Sequence, residues 1–185
     1  MTQTQRTLTH SESQAAAQMD SIREMVAALE CNYERLEDLR EERDNYDPAA
    51  ESGTGWTEND DTATWATRHA GDAAELNELE KAAGDCADRD HAETRIHEDP
   101  LSVLVRDDWR SPGEPEEGAT PAEYEILLCT GGPACRIRGQ LDGNCEPETA
   151  TMQHQDWGTP WTDWPLSRED EETLLTYARC FCYGY

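Results

Sequence analysis

Apolar residues recur at three- and four-residue steps from about Ser13 to Arg43, as Ile22, Met25, Val26, Leu29, Tyr33, Leu36 and Leu39, with no proline or glycine among them. That period predicts one amphipathic helix of about 28 residues, roughly 42 Å long. It ends at Asp47-Pro48, because the residue before a proline avoids the helical region. Residues 48–60 are rich in turn formers and read as a connection, and Met1 to His10 as a loose tail. A second helical stretch follows, interrupted by Gly71, with Asp72 three residues before Glu75 as a cap. Leu76, Leu79, Ala83 and Cys86 form a stripe that matches the one on the first helix. An antiparallel helical hairpin would bury both stripes. A short helix from about Asp88 to His97 stops before Asp99-Pro100.

The period then shortens to that of extended chain. Leu101–Val105, Tyr124–Cys129, Cys135–Arg138 and a segment near Ala150–Trp157 read as four strands. They are separated by a Pro/Glu/Gly loop at 111–121, by Gly131-Gly132-Pro133 and by Asp142-Gly143. Ser167, with Asp170 three residues on, opens a last helix carrying Leu174, Leu175, Ala178 and Phe181. The expected fold class is α+β: an N-terminal helical hairpin followed by a four-stranded antiparallel sheet with a C-terminal helix. The hairpin and its flanks would occupy residues 1–99 and the α+β body residues 100–185.

Charge narrows the choice of partner more than any motif. The chain carries 41 Asp and Glu against 15 Lys and Arg, a formal charge of −26, and its one lysine is Lys81. Direct binding to nucleic acid or to an anionic membrane is disfavoured, since both are polyanions. Hydrophobic residues make up 36%, which is low for a globular chain, yet six Trp and six Tyr require a folded body to cover them. The longest apolar run, Ile126–Cys129, falls far short of the ~20 residues of a membrane span. Met1–His10 carries no secretory signal, and seven cysteines cannot all pair within one chain. Reduced thiols and a bacterial cytoplasmic location are therefore expected.

The clearest arrangement lies on the first helix. Glu30, Glu34, Glu37, Glu41 and Asp44 are spaced by four, three, four and three residues. At ~100° per residue they fall within roughly 80° of arc, and Asp38 widens the row. Arg40 and Arg43 fall toward the apolar stripe, where they could pair across the hairpin. Like charges at these spacings cost an isolated helix about 0.2–0.5 kcal/mol per pair. The row reads either as a solvated face kept acidic for solubility or as an anionic rail that competes for a cationic nucleic-acid-binding surface. Duplex DNA carries about one charge per 1.7 Å, so the net charge of −26 corresponds to ~44 Å of duplex, near the length expected for the helix.

Other chemistry is thinly represented. Cys129, Cys135 and Cys145, and the Cys180/Cys182 pair, lack the C-x₂₋₄-C spacing of a structural zinc site, and His91 and His97 do not share a helix face. No G-x-S-x-G, H-E-x-x-H or P-loop is present, so neither catalysis nor a metal or cofactor is expected. An enzyme using Asp156 or a cysteine would need a cleft that gathers titratable groups. Gly131-Gly132-Pro133 with Arg136 and Arg138 could hold an anion, although alternating arginines on a strand more often pair with nearby Glu. The segment 156–165 carries Trp157, Trp161 and Trp164 together with two prolines, Pro160 and Pro165. These side chains either cover a sheet edge or anchor a partner protein.

Several stretches resemble a group of uncharacterised acidic proteins carried by phages, plasmids and integrative elements of proteobacteria. They are Glu98–Val103, Ile126–Ala134, Arg136–Gly139 and Gln155–Thr162. The resemblance spans Glu98 to Tyr185 and reaches the N-terminal helices only in character. It implies a genomic setting and brings no catalytic residues. By analogy, small acidic proteins of mobile elements disarm restriction or CRISPR complexes by occupying their nucleic-acid channel. The expectation is a non-enzymatic DNA mimic of anti-CRISPR or anti-restriction type. Its partner would be a host protein or complex with a cationic nucleic-acid-binding surface, contacted through Glu30, Glu34, Glu37, Asp38, Glu41, Asp44, Trp157, Trp161 and Trp164. The alternative is a structural or regulatory adaptor that pairs through its hairpin, and either reading allows a homodimer.

Overall fold

Helix α1 runs from His10 to Glu30, and α2 from Tyr33 to Asp44, where a single helix was expected. The computed structural model describes residues 7–47, 62–107 and 120–184. The break has a local cause. Asn32 takes φ −82° and ψ 86°, and its side chain accepts a hydrogen bond from the Arg35 amide, capping α2. The Tyr33 amide donates to the Cys31 carbonyl at 3.1 Å, an inverse γ-turn centred on Asn32. The Ala28 carbonyl, freed at the end of α1, accepts from the Cys31 amide at 3.3 Å and from the Tyr33 hydroxyl at 3.0 Å. Asparagine competes for backbone hydrogen bonds in this way wherever a helix is weakly committed.

The remaining helices among the described residues are α3 (Thr62–Arg68), α4 (Ala70–Ala83), α5 (Arg89–Glu98) and α6 (Arg168–Ala178). Gly71 lies inside α4 rather than between two helices. The break falls at His69, which caps α4 without a side-chain bond, and Asp72 sits in the first turn with its carboxylate 3.6 Å from His69 Nδ1. At α6 the expected cap is present: Ser167 Oγ accepts from the Asp170 amide, while the Asp170 carboxylate accepts from the Ser167 amide. Residues 1–6 of the expected tail, the 48–60 connection and most of the 111–121 loop lie outside the described residues, and α1 already takes in His10 at the end of that tail.

The sheet has five antiparallel strands in sequential order, one more than expected. They are β1 (Ser102–Asp107), β2 (Pro121–Cys129), β3 (Ala134–Gln140), β4 (Thr151–Gln155) and β5 (Thr162–Asp163). The extra strand is two residues long and follows Pro160, with the Trp164 amide donating to the Met152 carbonyl at 2.8 Å. So short a pairing leaves no alternating pattern in the sequence. N-terminal helices followed by this sheet and a C-terminal helix make the fold α+β.

The chain divides into two compact units, 1–26 with 93–185 and 27–92. In the first, Tyr124, Ile126, Cys135, Ile137 and Met152 point to one side of the sheet and are fully buried, as are Met19 and Ile22 of α1, Ile96 of α5, and Leu174 and Tyr177 of α6. The Tyr177 hydroxyl donates to Asp99 at 2.6 Å, and Arg23 pairs with Asp170 at 2.6 Å. In the second unit, Leu36, Leu39, Trp65, Leu76 and Ala83 form the core. There α2 runs antiparallel to α4: Tyr33 near its start lies against Cys86, and Tyr46 beyond its end meets His69 with ring centroids 5.7 Å apart.

Candidate partner-binding surfaces

Three of the arginines of α2 reach toward α4. Arg35 bonds Glu75 at 3.0 Å and Asp72 at 3.4 Å, Arg40 bonds Glu80 at 3.2 Å, and Arg43 lies 3.6 Å from Glu80 and 2.9 Å from Asp44. The opposite face of α2 carries Glu34, Glu37, Asp38 and Glu41, all exposed, and none of them has an ion-pair or hydrogen-bond partner among the described residues. The inward face is fixed by Leu36 and Leu39, 2% and 0% exposed. Glu30 belongs to the end of α1, and the turn at Asn32 removes it from the helical line that carries the others. Asp44 keeps its place at the end of the row but is neutralised by Arg43. The row of uncompensated carboxylates on one helix is therefore shorter than expected, from Glu34 to Glu41.

The open face of the sheet is charged in a different way. Register places Arg106 opposite Glu123, and Glu125 opposite Arg138. Arg136 donates to Glu125 at 2.6 Å, Arg138 to Glu123 at 2.7 Å, and Arg106 also reaches Glu123. Arg106, with help from Gln140 and Arg138, holds the Glu123 carboxyl below the usual carboxylate range. On β4, Gln153 accepts from Arg136 at 2.9 Å and donates to Asp163 at 2.7 Å. Arg136 and Arg138 are thus consumed by cross-strand pairs, and no cation of this turn remains to hold an anion. A groove of about 190 Å³ over β1–β3 is lined by these same paired groups.

The three tryptophans separate. Trp161 is half-buried beneath Arg136, whose guanidinium carbon stands 4.1 Å from the ring centroid. Trp164 is half-buried and meets the ring of His154 edge-on at 6.0 Å. Trp157 alone stands in solvent, 79% exposed. Its pyrrole edge lies on Gly132, where an added Cβ would be 1.9 Å from Trp157 Nε1. Gly131 and Gly132 have φ of +123° and +133°, which side-chain-bearing residues rarely adopt. Between this turn and the 156–158 loop is a cleft of about 340 Å³ lined by Gly131, Gly132, Gln155, Asp156 and Trp157, among others. Nothing in the spacing of residues 130 and 157 joins them; only the pairing of β3 with β4 does.

The thiols do not assemble into a site. Cys129 and Cys135 oppose each other across β2 and β3. Burial raises the Cys129 thiol, and burial with the neighbouring Cys129 pushes Cys135 up to about 12, so neither is a ready nucleophile. No three His, Cys, Asp or Glu side chains gather around a metal position among the described residues. Ser11 Oγ lies 3.1 Å from His154 Nδ1, a contact the sequence did not signal, but both side chains are buried. No helix among the described residues is long and apolar enough to cross a membrane.

No family model matches the chain, and no curated protein or solved structure is significantly similar to it.

Proposed function

We propose that this chain is an acidic accessory protein of a mobile element that binds and inhibits a host nucleic-acid-binding defence complex, as a DNA mimic of anti-CRISPR or anti-restriction type. The observation that carries the reading is the sorting of charge on α2. Its cations are engaged on the α4 side, while Glu34, Glu37, Asp38 and Glu41 are exposed with no side-chain partner among the described residues. From Glu34 to Glu41 is ~10 Å of helix, along which the four charges stand in steps of ~4.5, ~1.5 and ~4.5 Å, a mean of ~3.5 Å. One strand of duplex carries about one charge per 3.4 Å of axis. The match is thus to a few phosphates of one strand, and it replaces the whole-duplex length inferred from net charge. A row of this kind raises the association rate with a cationic channel, and the exposed Trp157 adds contact that slows release.

The adaptor reading needs an apolar stripe free to receive a partner helix. Leu29, Leu36 and Leu39 are 7%, 2% and 0% exposed within the chain itself, which favours the charged surface over it. The test is a tagged pull-down from bacterial lysate at low and high salt. A nuclease or CRISPR effector should be recovered at low salt, lost at high salt and displaced by added duplex DNA. Reversal of Glu34, Glu37 and Glu41 to Lys should abolish its recovery. Capture that survives both high salt and the triple reversal would overturn the proposal.

A further inference from the structure

We propose that the cleft between the 130–133 turn and the 156–158 loop grips an arginine side chain of a partner protein, with Trp157 as the stacking platform and Asp156 as the carboxylate that receives the guanidinium. The inference rests on the partner-binding reading above for the existence of a protein partner, and names what this second surface would hold.

The lining selects a cation. It contains one carboxylate, Asp156, and no Arg, Lys or His, on a molecule of net charge −26 that repels anions. Among the described residues Asp156 Oδ1 accepts only the neighbouring Trp157 amide, at 3.0 Å, and the carboxylate enters no ion pair. It differs in this from Glu123, Glu125 and Asp163 on the adjoining strands, which all have side-chain donors. At about 340 Å³ the cleft lies at the small end of the ~300–1,000 Å³ range of ligand pockets.

Planarity selects arginine over lysine. A guanidinium stacks on an indole face and offers parallel N–H donors to a carboxylate, whereas an ammonium does neither as well. The molecule already builds this arrangement once. Arg136 stands 4.1 Å over the Trp161 ring while its Nη1 donates to Glu125 at 2.6 Å. Trp157 and Asp156 offer an indole and a carboxylate next to each other in the chain, four residues before Trp161, with no cation between them among the described residues. The platform is also set in advance, because Gly132 admits the indole edge where any side chain would exclude it.

The test is a proton–nitrogen NMR titration of the full chain with N-acetyl-arginine amide, and with N-acetyl-norleucine amide as the uncharged control. The arginine compound should move the Trp157 indole N–H and the Gly131 and Gly132 amide signals saturably, and the norleucine compound should not. Asp156→Asn keeps the oxygen that accepts the Trp157 amide and should weaken the response about tenfold, the usual loss when a hydrogen bond to a charged group becomes neutral. Trp157→Ala should remove it. Equal shifts with both compounds, or an Asp156→Asn titration that overlays the native one, would overturn the inference. Salt-sensitive capture of a partner with no arginine response sinks the cleft alone. An arginine response with no such capture leaves the cleft as an arginine site and sinks the mimic.

Discussion

The open face of the sheet and the outer face of α2 both carry carboxylates and treat them in opposite ways. On the sheet, Glu123 and Glu125 each meet arginines from neighbouring strands, and Asp163 meets Gln153. On α2, four successive outward carboxylates meet none among the described residues, although the same helix has three arginines directed to α4. On these two surfaces, arginine stands where it joins elements and is missing from the helix face that joins none among the described residues. Acidity of this chain has two components, one that holds the fold and one that the fold does not use. Only the second is available to a partner.

The contrast breaks most visibly if a carboxylate assigned to the fold proves dispensable. Asp170 is the strongest such case, since it caps α6 and receives Arg23 through Nε at 2.9 Å and Nη2 at 2.6 Å. Burial would raise its pKa, but the hydrogen bonds from Arg23 and Ser167 outweigh it and hold the carboxyl below the usual range. Asp170→Ala should destabilise the protein by about 2 kcal/mol, toward the middle of the range for hydrogen bonds to charged groups because Arg23 stays half in water. The pH dependence has a definite sign. A depressed folded-state pKa gives stability that is complete above about pH 4, the unfolded value, and is lost as pH falls through the folded one. Urea midpoints measured between pH 6 and pH 3 should fall more steeply for the native chain than for Asp170→Asn.

A smaller effect is expected on the sheet. Glu125→Lys places a cation opposite Arg138 and beside Arg136 in the existing register. Lost charge-assisted bonds and new repulsion should together cost about 1–2 kcal/mol, discounted for partial exposure. Hydrogen exchange should read the loss in the amides of β2 and β3. An unchanged exchange pattern would mean that the cross-strand pairs hold nothing and that the two faces do not differ.

The sequence displays the second of these faces better than the first. The period of Leu36 and Leu39 and the four–three spacing of the acids put Glu34, Glu37 and Glu41 on one side, and the inward fall of Arg40 and Arg43 follows from the same 100° step. The capping box at Ser167 and Asp170 is likewise local and readable. What a helical count could not reveal is the stop at Asn32, where a side chain competes with the backbone and a neighbouring tyrosine hydroxyl replaces a lost helical bond. That one turn removes Glu30 from the row. The sheet pairs and the Trp157 cleft depend on register between residues about 11 to 25 positions apart, and β5 on only two residues, so neither leaves a periodic trace.

The smallest effect is the most discriminating. Glu34→Lys, Glu37→Lys and Glu41→Lys together should leave stability unchanged or raise it by a few tenths of a kcal/mol, because Asp38 then meets opposite charge one turn away on both sides, while the repulsion among the three positions is kept with its sign reversed. None of the three forms a bond that the substitution would break. A stability-neutral variant that nevertheless loses a salt-sensitive partner would assign the row to binding. Thermal melts at low and at high ionic strength check the first half of that statement. The gain should be present at low salt and shrink at high salt, since an exposed charge interaction is screened over about 8–10 Å at 0.1–0.15 M. A destabilised variant would instead mean that these carboxylates hold the fold together, and the opposition between the two faces would disappear.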